Sequence, residues 1–178
     1  EIRIVDLKAE RTLYSLPKLV GYLLREKPEA LLSALEQANV VALWAKKLAF
    51  SPVRVVVSVH STLSVSSQKA FSWRGRLSPW WAHFFYPWAE AIVAVSQGVA
   101  EDLIACTGLP RREVHVIYNP IITPELFIKA EEPLDHPWFR LGEPPVVLGV
   151  GRLAEEKDFP TLIRAFALVK KERPVRLV

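Results

Sequence analysis

"VRVVVSVH", residues 53–60, is the stretch that decides the fold. It is β-branched and apolar on both faces, and strands of that kind belong in the middle of a parallel sheet. Parallel neighbours are joined by long crossovers, usually helices, so the flanking sequence should alternate strand with helix. Downstream, "AIVAV" (91–95) reads as another buried strand and "SQGVAEDLIACTG" (96–108) as a helix capped by Ser96 and ended by Gly108. "EVHVIYN" (113–119) is a further strand. Upstream, "NVVALWAKKLAF" (39–50) is helical with Asn39 as its N-cap, while "EALLSAL" (29–35) fits a short buried strand or a helix. Leu16, Leu19, Val20, Leu23 and Leu24 recur at helical spacing before Pro28, and "IRIVDL" (2–7) alternates as a strand does. The expected class is α/β with a doubly wound parallel sheet.

Residues 61–78 are rich in serine and basic groups and read as a loop on the carboxyl side of the central strand. "SPWWAHFFYPWAE" (78–90) then starts with Ser78 as an N-cap and Pro79 in the first turn. Trp80, Trp81, Phe84, Phe85, Tyr86 and Trp88 cannot all share one narrow helical stripe. Core packing is the expectation for the cluster. A second face would be free to meet a lipid-bearing acceptor or a membrane, with Lys69, Arg74 and Arg76 suited to anionic headgroups. The segment 80–95 is interrupted by His83, Pro87 and Glu90 and falls short of the roughly 18 to 20 residues a spanning helix needs.

With 178 residues, 51% hydrophobic and 24% charged, the chain is globular and long enough for one domain or parts of two. A net charge of +4 suits an anionic partner without choosing between nucleotide, phospholipid surface and nucleic acid. Cys106 has no second cysteine to pair with, which fits a reducing compartment. The charged opening "EIRIVDLKAER" does not resemble a secretory signal. There is no methionine, so Glu1 reads as a processed end or, the favoured reading, an internal point of a longer protein.

After "NPIITPELF" (119–127) the character changes. Pro124, Pro133, Pro137, Pro144 and Pro145 among charges suggest a connector with little regular structure. "VVLGVGRLAEEKDFPTLIRAF" (146–166) and "VRLV" (175–178) then restart the strand–helix–strand pattern. The implied organisation is 1–120 as a first unit, 121–145 as linker and 146–178 as the beginning of a second α/β unit. In the second unit the strand ends at Val150 and Gly151 allows close approach of a ligand or of backbone. Asp158 caps the next helix, whose buried stripe would be Leu162, Ile163, Phe166 and Val169. Arg152 and Lys157 thus lie at the carboxyl edge of a parallel sheet, beside a helix amino end, where open α/β sheets bind ligands. An Arg fork and a Lys point charge suit a diphosphate, while spacing alone favours two solvated surface charges.

His60 ends the strongest strand at the same kind of sheet edge, as a catalytic group or as a plain strand terminus. His115 reads as a packed strand residue and Cys106 as core. No dinucleotide fingerprint, P-loop or nucleophile elbow is present. His60, His83, His115 and His136 are too scattered for a ligand pair on one helix, and no D-x-D occurs. A departing diphosphate would therefore be stabilised by cationic side chains, with no metal and no other cofactor.

"GVGRLAEEKDFPTLIRAFALV" (149–169) resembles the G-R-L-x-x-x-K-x-F-x-x-L-I-x-A-F signature of the retaining GT-B glycosyltransferases of family four, the glycosyl transferases group one. "VSVHS", "AIVAVSQGVAEDL" and "VHVIYNPI" are similar to upstream motifs in the same order, and "NVVALWAKKLA" adds weaker support. The resemblance implies two facing Rossmann-like domains, the first for the acceptor and the second for a nucleotide-sugar donor. It implies that Gly151, Arg152 and Lys157 bind the donor diphosphate, that His60 faces the transferring sugar, and that Asn119 and Pro120 mark the exit from the first domain. Transfer with retention, in glycan, polysaccharide or glycolipid synthesis, would use a sugar or lipid-linked acceptor. Cytoplasmic location with a peripheral contact at the inner face of the membrane, and no nucleic-acid partner, complete the expectation.

Two parts of the family pattern are absent, the glycine-rich loop after the first strand and the E-x-x-x-x-x-x-x-E motif. Those glutamates help hold the ribose and sugar, so the expected activity attaches to a longer parent, and the 178 residues are expected to lack a complete active site. The competing expectation is a non-catalytic module that binds an anionic membrane or a protein partner.

Overall fold

The structure, a computed structural model, describes residues 2–70 and 73–178, with the side chain of Arg74 outside the description. The chain separates into two compact units, Glu1–Pro120 and Ile121–Val178.

In the first unit, α1 (Leu16–Glu26) precedes β1 (Ala30–Ala34), α2 (Glu36–Leu48) and β2 (Arg54–Val59). Three helical segments follow, α3 (Leu63–Gln68), α4 (Trp73–Arg76) and α5 (Ser78–Phe85), then β3 (Ala91–Ala94), α6 (Gln97–Thr107) and β4 (Val114–Val116). The four strands are parallel and ordered β1-β2-β3-β4. The central stretch is hydrogen-bonded along both edges, to β1 and to β3. Ser33, Val57, Ile92 and Val114 align across the sheet and are all buried. With Leu23, Leu43, Leu63, Tyr86 and Leu103 they build the core under α2, α5 and α6.

The opposite row behaves differently. Leu32 and His115 are exposed, so the expectation of helices on both faces, and of a packed His115, is corrected. Strands that add in strict chain order all step in one direction, and crossovers of one hand then place their helices on a single face.

Four local expectations change for physical reasons. "IRIVDL" forms no strand; Ile2 and Ile4 are exposed, and Arg3 reaches Glu26 at 3.2 Å instead of joining a ladder. Asn39 is not a cap but a fully buried residue inside α2, whose Nδ2 donates to the Ser58 carbonyl (3.0 Å) and the Tyr86 hydroxyl (3.2 Å). Ser78 lies within α5, after Leu77 at the N-cap. The supposed loop 61–78 is largely helical, apart from residues 71 and 72, which lie outside the description. Asp102 of α6 explains part of this, because its carboxylate accepts from the Ser64 backbone N–H at 3.1 Å and from the Ser64 hydroxyl, capping α3 from another element. Ser96 does cap α6, accepting from the Val99 N–H at 3.3 Å, and Gly108 ends it at φ 69°. Cys106 is half-buried against the core, and burial together with the Asp102 charge pushes its thiol pKa up.

In the second unit, α7 (Pro124–Ala130) and a 3-10 turn at Pro137–Phe139 replace the expected irregular connector. Pro124 starts α7 where its missing N–H costs nothing, and a hydrogen bond from Thr123 holds the Glu125 carboxyl below the usual range. Then β5 (Val146–Val147), α8 (Phe159–Glu172) and β6 (Arg176–Leu177) form a strand–helix–strand unit with the two strands parallel. Val175 is the buried hydrophobic residue of this unit among those described. The expected buried stripe of α8 is only partly realised: Leu162 and Phe166 are half-buried, Ile163 and Val169 exposed. Two strands of two residues cannot cover a helix of fourteen.

Candidate functional site

The sequence-derived candidates fall in both units. Gly151, Arg152 and Lys157 come together on the loop between β5 and α8. Lys157 ends a 3-10 turn at Glu155–Lys157, and Asp158 follows in the left-handed region (φ 45°), its carboxylate accepting from the Thr161 N–H at 3.3 Å to cap α8. That cap already occupies one free amide of the helix end, so an anion arriving here would be held mainly by side chains.

Arg152 is 84% exposed and its Nη2 lies 3.1 Å from Glu156 Oε1. An exposed pair of this kind contributes at most about 1 kcal/mol, so a doubly charged ligand would displace Glu156 readily. The Lys157 stem passes Gly151 so closely that a Cβ there would sit 3.3 Å from its methylenes. Gly151 thereby lets the lysine stem lie against the loop backbone. The neighbouring Gly149 has a separate reason: a Cβ would meet Leu162 Cδ2 at 2.9 Å and Phe159 Cε1 at 3.2 Å. It is a packing glycine that seats α8 on β5, which motif reading passes over.

His60 belongs to the first unit, one residue past the end of β2, and is exposed at the carboxyl edge of the sheet. Its Nε2 lies 3.0 Å from Ser58 Oγ. Residues two apart on a strand share a face, so this partner was readable from period two alone. Ser58 is itself buried, and its carbonyl takes the Asn39 bond, so the imidazole is held by a serine whose backbone is anchored in the core. Ser61 Oγ donates to Glu36 Oε1 at 2.5 Å, placing a carboxylate from the start of α2 beside the same edge. Beneath it, burial raises the Tyr86 phenol to about 12 and keeps it neutral. Among the described residues, no three His, Cys, Asp or Glu side chains converge.

The family described as Glycosyltransferase Family 4 matches residues 2–124, more than half of the chain. The chain belongs to that family. It is 28% identical over 138 residues to the N-acetylgalactosamine-N,N'-diacetylbacillosaminyl-diphospho-undecaprenol 4-alpha-N-acetylgalactosaminyltransferase of Campylobacter jejuni, covering 78% of this chain and 36% of that protein. Among solved structures it is similar to Anabaena HepE in complex with UDP, with a TM-score of 0.57 at 18% identity over 93% of this chain and 51% of that one. It is also similar to the apo lipopolysaccharide outer core galactosyltransferase WaaB, with a TM-score of 0.50 at 19% identity over 82% of this chain and 36% of that one. These likenesses establish the GT-B type α/β fold. The chain spans about half or less of the length of the proteins it matches.

Proposed function

We propose that the protein is part of a glycosyltransferase that moves a sugar from a nucleotide-diphosphate donor to a sugar or lipid-linked acceptor, with retention and without a metal. The observation that carries this reading is the family membership across residues 2–124. The juxtaposition of Arg152 and Lys157 on one strand-to-helix loop supports it. So do the UDP held by the Anabaena neighbour and the undecaprenol-linked name of the Campylobacter relative.

In this reading the bond from the anomeric carbon to the diphosphate oxygen breaks, and its electron pair leaves with the diphosphate. The Arg152 fork and the Lys157 ammonium neutralise the growing charge, and Gly151 leaves room for the phosphate. The acceptor oxygen bonds to the anomeric carbon on the face the diphosphate leaves and gives up its proton to the departing phosphate oxygen, while His60, steadied by Ser58, contacts the transferring sugar as the anomeric carbon becomes cationic. The setting would be glycan, polysaccharide or glycolipid synthesis on the cytoplasmic side of a membrane.

Titration calorimetry with UDP tests the donor half. Arg152→Ala combined with Lys157→Ala should weaken UDP binding about a hundredfold, since charge-assisted hydrogen bonds contribute about 1.5–3 kcal/mol each. Glu156→Gln, which releases Arg152, should tighten it severalfold. Binding that ignores both changes would remove the diphosphate assignment. His60→Ala should leave UDP affinity intact.

A further inference from the structure

We propose that the outer face of the α4–α5 segment is a docking surface for an anionic lipid bilayer. Trp73, Leu77, Trp80, Phe84 and Trp88 recur at intervals of three and four residues and are 37% to 64% exposed. They form one stripe because the backbone stays helical across the junction, with Leu77 N–H donating to the Trp73 carbonyl at 3.2 Å and Trp81 N–H to the Leu77 carbonyl at 3.0 Å. The opposite side of the same segment is committed to the core. Ala82 and Tyr86 are buried, while Trp81 and Phe85 pack edge-on against Trp44 of α2 at centroid distances of 6.1 and 5.3 Å. A helix that is apolar all round is normally buried all round, and this one leaves a tryptophan-rich face in water.

The charge distribution selects the occupant. From Gln37 to Ala89 the sequence contains no Asp or Glu, while Lys46, Lys47, Arg54, Lys69, Arg74 and Arg76 all fall inside that interval. Acidic residues are frequent on either side of it. Lys47 Nζ sits 5.3 Å from the Trp88 ring centroid, and exposed Arg76 follows Trp73 within α4. Tryptophan and phenylalanine rings bordered by lysine and arginine match the boundary between acyl chains and anionic headgroups. A long stretch cleared of acidic groups removes the repulsion such a surface would exert. No described helix is long and apolar enough to cross a membrane, so the contact is one of lying on the surface. It rests on exposure and charge within one unit and stands whether or not the protein transfers a sugar.

Co-sedimentation of the chain with vesicles of equimolar phosphatidylglycerol and phosphatidylcholine, against phosphatidylcholine alone, is the test. The protein should pellet with the anionic vesicles, at least about tenfold more strongly than with neutral ones, and raising salt to about 0.5 M should weaken the binding severalfold. Trp80→Ser with Phe84→Ser should abolish it. Lys47→Glu with Arg76→Glu, which keeps every aromatic side chain of the stripe, should remove the preference for anionic lipid and decides the matter if the first variant misfolds. Equal binding to both vesicles, indifference to the charge reversal, or a wild-type chain left in the supernatant would overturn the proposal. A dimer dissolved by the Trp80 and Phe84 changes, without vesicle binding, would assign the stripe to a second copy instead.

Discussion

The two units are written in the same sequence grammar and packed to different degrees. Both place a strand, a loop with a chemically interesting residue and a capped helix in order, yet the first buries a contiguous core while the second buries Val175 among its described hydrophobic residues. Ser96 caps α6 and Asp158 caps α8 by the same hydrogen bond to the N–H three residues on. Local rules therefore operate equally in both units, and the difference lies in how many strands each helix has to cover. The four-stranded sheet gives α2 and α6 two strands each to rest on. The two-stranded sheet leaves much of α8 in solvent.

That contrast is most easily broken by truncating a helix residue in each unit. Leu43→Ala, at a site with no solvent exposure inside α2, should cost about 2–5 kcal/mol in a urea melt. Ile163→Ala, on the exposed side of α8, should stay within about 0.5 kcal/mol. Comparable losses at both sites would mean that α8 is covered by something in solution, and the contrast would fall.

A second test sharpens what the first core contains. The neutral Tyr86 phenol has a folded-state pKa near 12, above the ordinary value of 10. The unfolded chain then loses the proton first. Stability is full below pH 10, falls as pH rises from 10 toward 12, and the loss amounts to about 2–3 kcal/mol. Tyr86→Phe should flatten that part of the pH profile, measured by urea midpoints between pH 9 and about 11.5. A slope that survives the substitution would place the alkaline titration elsewhere.

The same contrast marks what could be read in the sequence. The central strand, the parallel order around it, the Ser96 and Asp158 caps and the Gly108 stop all follow from residues within a few positions of one another. What escaped depends on distant partners. Asn39 looks like a cap until Ser58 and Tyr86 take its amide, and α3 looks like a loop until Asp102 supplies the missing acceptor. "IRIVDL" has the alternation of a strand but no ladder to join. On the candidate site, the placement of Arg152 and Lys157 on one strand-to-helix loop was legible from the order of residues. Glu156 as the arginine's partner was visible at i,i+4 and passed over.

The two glycines that bracket Val150 separate packing from site chemistry. At Gly149 an added methyl would meet Leu162 Cδ2 at 2.9 Å and a Phe159 ring carbon at 3.2 Å, both on the face of α8 that rests on β5. The leucine tip can turn aside, but the ring is less free to move. Gly149→Ala should therefore destabilise the second unit by about 1–2 kcal/mol, read as faster amide exchange across α8. At Gly151 the obstacle is the Lys157 stem at 3.3 Å, a flexible chain on the surface. Gly151→Ala should leave amide exchange in α8 unchanged and instead displace the Lys157 stem, weakening UDP binding about threefold to tenfold if Arg152 and Lys157 hold a diphosphate. A loss of protection at Gly151→Ala, or a loss of nucleotide affinity at Gly149→Ala with α8 intact, would exchange the two roles.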